Sequence, residues 1–413
     1  MGSNFYTSSP DSWSIEKFGN LAKITCGVAA TPTYVDKSIG VPFFSASNVQ
    51  KGKLKLDKIK HIPVDLHNKL TKNTKPEKGD VLMTRVGAGI GEAAVVTVDY
   101  DFSVYVSLTL IKCGERVDSN FVQSVLNTDY YRYLAVREQF AGGGVQNLNV
   151  QMVKDYVFPV PPLPEQRKIA KILSTWDKAI ATTEKLVETS KQQKKALMQQ
   201  LLTGKKRLVD SETGKVFQGE WEQFSFGDIA NVSSKKHDPK KVSMSVPCVE
   251  LEHIKQESGG ILGTADSKDL ASIKNKFTAG DVLFGKLRPY LKKYAFPSFD
   301  GVCSTEIWVL KAKKTIQPEY LYQFVQTNIF ISEANKSAGS KMPRADWGVV
   351  SELILKLPSL EEQKKITAVL NAADEQLELL EAKIAHFKQE KKALMQQLLT
   401  GKRRVKTDEV EAA

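Results

Sequence analysis

The chain is poor in the residues that build metal centres and disulfide frameworks. Four cysteines (Cys26, Cys113, Cys248, Cys303) are scattered through 413 residues with no Cys-x-x-Cys pair. That argues against a zinc site or a disulfide scaffold and fits a reducing cytoplasm. Five histidines (His61, His67, His237, His253, His386) are dispersed, none at ligand spacing from a cysteine or carboxylate. Surface or capping positions are expected for them, and no bound metal. There is no run of eighteen apolar residues and no secretory signal, so no membrane span is expected. A Walker A loop is missing, which excludes ATP-driven work by this chain. The Asn/Asp-Pro-Pro-aromatic tetrapeptide of amino-methylating enzymes is missing too. Gly87-Ala-Gly-Ile-Gly91 lies between two strand-like segments, so it reads as a hairpin turn and not as a nucleotide loop. Asp80 and Asp281 precede strands at equivalent turns, where a structural role is expected. No active site and no resident cofactor follow from these residues.

What the chain does have is charge and repetition. Lysine and arginine number 59 against 47 acids, a net charge of +12, and the pI is near 9.2. Such a balance favours a polyanionic partner. Hydrophobic content of 41% and a mean hydropathy of −0.29 fit globular domains, and the length allows two or more. Lys194 to Lys205 reads KKALMQQLLTGK, and Lys391 to Lys402 repeats it letter for letter. The flanks match as well, Leu163-Pro-Glu-Gln-Arg-Lys-Ile169 against Leu360-Glu-Glu-Gln-Lys-Lys-Ile366, at a constant offset (360 − 163 = 197 and 401 − 204 = 197).

Each copy carries a heptad seam. Ile169, Leu173, Trp176, Ile180, Thr183, Val187, Ser190, Lys194, Leu197 and Leu201 are spaced by alternating fours and threes. The second seam is Ile366, Leu370, Ala373, Leu377, Leu380, Ile384, Phe387, Lys391, Leu394 and Leu398. That is a coiled-coil pattern. Pro164 and Glu165 suit a first helical turn, and Ser359 with Glu362 is spaced as a capping box. Gly204 and Gly401 suit the left-handed residue after a helix, and the basic runs Lys205-Lys-Arg207 and Lys402-Arg-Arg404 suit its negative end. About 40 helical residues span roughly 60 Å. Two unequal seams separated by a globular block are expected to pack antiparallel, with Ile169 near Leu398, Trp176 near Lys391, Lys194 near Ala373 and Leu201 near Ile366.

The globular blocks are a weaker duplication. Trp13, Phe18-Gly19 and Leu21-Ala22 return as Trp221, Phe226-Gly227 and Ile229-Ala230, and Gly79-Asp-Val-Leu82 returns as Gly280-Asp-Val-Leu283. The pattern predicts strands over Asp80–Val86, Glu92–Val98 and Val104–Lys112 and one helix over Ser119–Glu138. The second block repeats it, with strands near Asp281–Leu287 and Ile307–Lys311 and a helix near Pro318–Ala334. The fold class is therefore α+β: two small mixed domains separated by two long helices forming an antiparallel coiled coil, with an internal pseudo-twofold repeat.

A basic, duplicated chain with two such domains fits a reader of bipartite double-stranded DNA. Candidate contacts in the first domain are Lys69, Lys72, Lys75, Arg85 at the hairpin, and Gln146-Asn147 after Gly142-Gly-Gly144. In the second they are Lys286, at the position of Arg85, then Arg288, Tyr290, Lys292 and Lys293, and Lys341 and Arg344 in the matching polar loop. Arginine can pair bidentately with guanine, and asparagine or glutamine with adenine.

These motifs resemble the specificity subunit of Type I restriction–modification enzymes. Pro161-Pro-Leu-Pro-Glu-Gln-Arg-Lys-Ile169, Leu360-Glu-Glu-Gln-Lys-Lys-Ile366, Leu197-Met-Gln-Gln-Leu-Leu-Thr-Gly204 and its copy Leu394–Gly401 carry the resemblance, with Gly79-Asp-Val-Leu82 and Arg85-Val-Gly87. It covers nearly the whole chain. It departs at Leu360-Glu361, where the first copy has Leu-Pro. It implies a first target-recognition domain at 1–160, a spacer helix at 161–207, a second recognition domain at 208–356, a second spacer helix at 357–406 and a tail at 407–413. It implies a non-catalytic, prokaryotic cytoplasmic subunit whose domains each read half of a split target. The paired helices would fix the unread gap and dock two modification subunits that bind S-adenosylmethionine and methylate adenine. Two restriction subunits using ATP and Mg would complete the assembly. A stand-alone DNA-binding regulator is the alternative.

Overall fold

A computed structural model describes residues 10–28, 32–138, 147–210, 212–239, 245–270, 272–336 and 342–407. The chain forms two compact units, one made of residues 1–183 with 383–413 and the other of 184–382.

In the first unit a four-stranded antiparallel sheet runs in the order Ala22–Cys26, Leu108–Cys113, Val81–Thr84, Ala93–Val95. Val81–Thr84 is buried along its whole length, which explains its continuous apolar run. A three-stranded sheet of Lys60–Pro63, Gly40–Phe44 and Ser103–Val104 adjoins it. A two-stranded ribbon pairs Ser14–Lys17 with Val157–Val160 just before the first long helix. The second unit repeats the main sheet in the same order: Ala230–Val232, Ile307–Ala312, Val282–Gly285, Tyr294–Ala295. The ribbon returns as Glu222–Ser225 with Ile354–Leu357. The auxiliary sheet differs, having five strands in place of three. Variation between the copies is thus concentrated outside the shared sheet and ribbon.

Three details depart from the sequence-based reading. The helix expected over Ser119–Glu138 is two helices, Ser119–Leu126 and Asp129–Glu138. Between them the Asn127 amide bonds the backbone N–H and C=O of Ala93 at 3.0 and 2.8 Å, which fixes the break against the sheet. The second unit splits in the same place, into Pro318–Val325 and Asn328–Asn335, with Thr327 capping the second piece. The strand expected over Val104–Lys112 is also divided, because Ser103–Val104 pairs with Gly40–Phe44 while Leu108–Cys113 stays in the main sheet. Thirdly, His67 and His237 are buried rather than on the surface. The His67 ring bonds the Ser103 hydroxyl at 2.9 Å, and burial lowers its pKa, so the ring is neutral at pH 7. His253 is a cap, accepting the Glu250 N–H at 3.0 Å. Asp80 and Asp281 are turn braces: each accepts a backbone N–H at 2.7 Å, from Glu77 and Thr278, and pairs with Lys112 or Lys311.

The long helices are Leu163–Leu201 and Leu360–Leu398, 39 residues each. In the first unit Ile169 and Leu173 share a core with Leu394 and Leu398. Trp176 meets Phe387 edge-on at 5.6 Å, and Lys391 pairs with Asp177 at 2.6 Å. In the second unit Leu197 and Leu201 share a core with Ile366 and Leu370, and Lys194 pairs with Asp374 at 2.6 Å. Both pairings are antiparallel and hold the expected register to within one residue at the polar positions. The lysine of each repeated segment was the weak point of each seam. It proves to be an ion pair, the same one in both units (391 − 194 = 197 and 374 − 177 = 197). Lys194 also donates to Gln326 at 3.1 Å. A polar pair inside an apolar seam costs stability and fixes register. The ends of the seam are fully buried at Ile169, Leu173, Leu201, Ile366, Leu370 and Leu398. Trp176, Ile180, Leu377, Leu380, Ile384 and Phe387 are half-buried, and Val187 is buried.

Where each domain meets its helix, a glutamine is wholly buried. Gln166 donates to the carbonyls of Arg116 and Pro161 at 2.9 and 2.8 Å and accepts the Asp118 N–H at 2.9 Å. Gln363 repeats this with Thr315, Pro358 and Gln317 at 3.0, 3.0 and 2.9 Å. The neighbouring glutamate closes a second contact with the other repeat. Glu165 takes a two-pronged bond from Arg404, both arms at 2.6 Å, and a third from the Trp13 indole at 3.1 Å. Glu362 takes the equivalent pair from Arg207 at 2.6 and 2.7 Å. Only half of the expected capping box forms at Ser359: its hydroxyl accepts the Glu362 N–H at 3.3 Å, while the carboxylate goes to Arg207. Gly204 and Gly401 are left-handed, at φ 70° and 74°. They lie under Trp221 and against Pro10 and Trp13, so a Cβ at Gly401 would come within 2.2 Å of the proline ring.

Gln363→Ala removes three hydrogen bonds at once, one of them to the buried Pro358 carbonyl. It should destabilise the protein by about 2–4 kcal/mol in denaturant unfolding; a change within experimental error would show that the amide clasp is incidental.

Candidate nucleic-acid interface

The hairpin that follows Val81–Thr84 and the segment just before the first long helix are stitched together. The Leu148 N–H donates to the Arg85 carbonyl at 2.9 Å. The Arg85 side chain returns the bond, Nε to the Leu148 carbonyl at 3.0 Å and Nη2 to Asn147 Oδ1 at 3.2 Å. Arg85 is 9% exposed, and its guanidinium is spent on this clasp. The second unit makes the same junction with other chemistry. The Ala345 N–H donates to the Lys286 carbonyl at 2.8 Å. Arg344 pairs with Glu306 through Nε at 3.0 Å and Nη2 at 3.1 Å. Glu306 also accepts the Lys286 N–H through its backbone carbonyl at 2.9 Å.

The candidate residues therefore fall into distinct environments. Arg85 joins Asn147, and Lys286, Arg288 and Arg344 lie on one stitched surface. Lys292 pairs with Glu257 at 2.9 Å, and Lys293 donates to the Leu251 carbonyl at 2.6 Å. Arg288 and Tyr290 are exposed, and neither side chain forms a polar bond among the described residues. Lys69 and Lys72 are exposed at the end of the helix Val64–Thr71, which packs on the three-stranded sheet. Lys75 is exposed and pairs with Asp101 at 2.7 Å. Gln146 and Lys341 lie outside the described residues.

Sequence reasoning missed Glu306, which carries no motif of its own. It also took Glu165-Gln166 and Glu362-Gln363 for helix starts only, although their repetition signalled a shared partner. Burial pushes the Cys113 thiol up to about 11 and the Cys248 thiol up to about 12, so neither is a poised nucleophile. Among the described residues no group of three or more ligand side chains could hold a metal. No described helix is long and apolar enough to cross a membrane.

Two α+β domains of one design, each clasped to paired long helices, define a duplicated helix-linked architecture. The family of Type I restriction modification DNA specificity domains matches residues 10–189 and again 218–389. The chain belongs to that family. It is 24% identical over 428 residues to the Type I restriction enzyme MjaVIII specificity subunit of Methanocaldococcus jannaschii, covering 96% of this chain and 94% of that one. It is 21% identical over 389 residues to the EcoKI specificity subunit of Escherichia coli strain K12, covering 86% and 81%. Its fold is shared with the crystal structure of a Type I restriction–modification S subunit from M. genitalium (TM-score 0.59, 15% identity, 97% and 98% covered). A chain from a structure addressing complex assembly and conformational transition of the type I system gives a TM-score of 0.57 at 16% identity, covering 96% and 100%. The protein is a DNA sequence-specificity subunit, and its family role is specificity, not catalysis. The alternative of a stand-alone regulator is not favoured.

Arg85→Ala removes the brace at Asn147 and Leu148. It should weaken discrimination across the whole first half-site while lowering stability by about 1–2 kcal/mol. Relaxation at one base position with stability unchanged would instead mark Arg85 as a direct reader.

Proposed function

We propose that each globular domain reads one half of a bipartite double-stranded DNA target and that the paired helices set the unread gap between the halves. The observation that carries this reading is the repetition of one junction. Both domains stitch a hairpin to a pre-helix loop, and both are clasped to a helix pair by the same buried glutamine. Two heads of the same build on helices of equal length, 39 residues each, are suited to a split target. Half-sites about one helical turn apart, ~34–36 Å, present the same face of DNA. The net charge of +12 supplies phosphate attraction.

In this reading Lys69, Lys72 and Lys75 serve the backbone of the first half-site, and Lys286, Arg288, Tyr290, Arg344 and Lys341 serve the second. Arg85, Asn147 and Gln146 position or contribute to the first reading surface. The helices dock two modification subunits, which carry S-adenosylmethionine, and two restriction subunits bring ATP and Mg. This chain contributes sequence choice and spacing, and the chemistry belongs to its partners.

Replacing residues 208–356 with the matching block of a relative, in the assembled methyltransferase, should change one half-site only in a methylation map; a change in both would contradict independent reading. Removing one heptad from both helices should shorten the unread gap and leave both half-sequences intact. An unchanged gap would show that the helices do not set it.

A further inference from the structure

The hairpin turn is built alike in the two domains, with a left-handed residue at each of two corners. In the first domain those corners are glycines, Gly87 at φ 91° and Gly91 at φ 81°. In the second they are Arg288 at φ 51° and Lys292 at φ 49°, each 201 positions further on (288 − 87 = 201, 292 − 91 = 201). Left-handed backbone costs nothing special at glycine and is unfavourable for any residue with a Cβ. The first domain shows that glycine suffices for this turn.

Lys292 has a local reason for its conformation. Its carbonyl accepts the Glu257 N–H at 3.1 Å, and its ammonium pairs with the Glu257 carboxylate at 2.9 Å. The Arg288 side chain has no such partner: its guanidinium forms no hydrogen bond or ion pair among the described residues, although its carbonyl accepts the Leu291 N–H at 2.9 Å. Its backbone, however, is pinned. The Arg288 N–H donates to the Pro343 carbonyl at 2.7 Å, Leu287 bridges to Arg344, and the buried Pro289 follows. Between the corners stands Tyr290, 51% exposed. Its counterpart in the first domain is Gly89 (290 − 201 = 89), so that turn presents no side chain beyond Ala88 to solvent. A left-handed non-glycine residue on a pinned backbone, with a charged fork that has no partner among the described residues, points to a functional position.

We propose that Arg288 is a base-reading residue of the second domain, its fork set for the O6 and N7 acceptors of one guanine in the major groove, and that Tyr290 beside it holds a phosphate. This rests on the DNA-reading function above. The smooth glycine turn of the first domain cannot read in this way, so the two heads use different elements for the two half-sites.

The test uses the full chain assembled with its modification subunits and a DNA library randomised across the target. The wild-type complex should require guanine at one position of the second half-site. Arg288→Gly should relieve the backbone, raising the melting temperature by roughly 2–4 °C, while discrimination at that guanine falls by roughly 10- to 100-fold. Arg288→Lys, which keeps charge and loses the fork, should lose the same discrimination. Tyr290→Phe should weaken binding evenly across sequences. A second half-site unaltered by Arg288→Gly would overturn the proposal, as would a uniform loss of affinity with every base preference kept. A wild-type complex with no bipartite preference at all would sink the underlying function instead, so the two failures are distinguishable.

Discussion

A buried glutamine bonded through both ends of its amide is the constraint on which each half of this molecule depends. Gln166 and Gln363 each bond two carbonyls and one N–H where a helix leaves its domain. No apolar residue could replace the amide without losing all three bonds, one of them to a buried proline carbonyl. The adjacent glutamate then captures an arginine that follows the end of the other long helix. Each unit is thus completed by both repeats: the start of one repeat's helix, the end of the other's, and the arginine beyond it.

That exchange explains why the repeated letters are the ones they are. Leu398 and Leu201 fill the core beside the glutamine, while Gly401 and Gly204 turn the chain beneath a tryptophan and leave no space for a Cβ at Gly401. Arg404 and Arg207 are delivered to the waiting carboxylates. Lys391 and Lys194 sit in the seam because each meets an aspartate, Asp177 or Asp374. Apolar burial at the seam ends supplies most of the attraction, about 1.5–3 kcal/mol for each fully buried leucine or isoleucine. The ion pairs fix register at some cost in stability.

Much of this was legible in the sequence because it is periodic or repeated. The heptads gave the helices, their polarity and a register that the leucine pairs obey. The hairpin of Gly87–Gly91 followed from its place between strands, and the duplicated Gly-Asp turns from their offset. What was not legible is non-local. Nothing near Arg85 in the chain announces that its side chain is committed to Leu148, sixty-three residues away. Glu306 carries no motif, yet it holds Arg344. The break at Asn127 depends on an edge strand at Ala93 and not on helix propensity. His67 and His237 looked like surface residues because burial of a lone histidine leaves no local trace. The site candidates were chosen by charge, hydrogen-bonding capacity and place in the repeat, and the structure sorts the described ones by how much of that capacity is already engaged.

Whether the clasp is rigid enough to tie recognition to helix geometry can be measured directly by native-state hydrogen exchange of two backbone amides, Asp118 and Gln317. Among the described residues each donates to the buried glutamine of its own junction alone, at 2.9 Å. If the junctions are as firm as the domain cores, both amides exchange in the slowest class, together with those of the strands Leu108–Cys113 and Ile307–Ala312. Exchange of either amide at the rate of exposed loops, while those strands stay protected, would contradict the account.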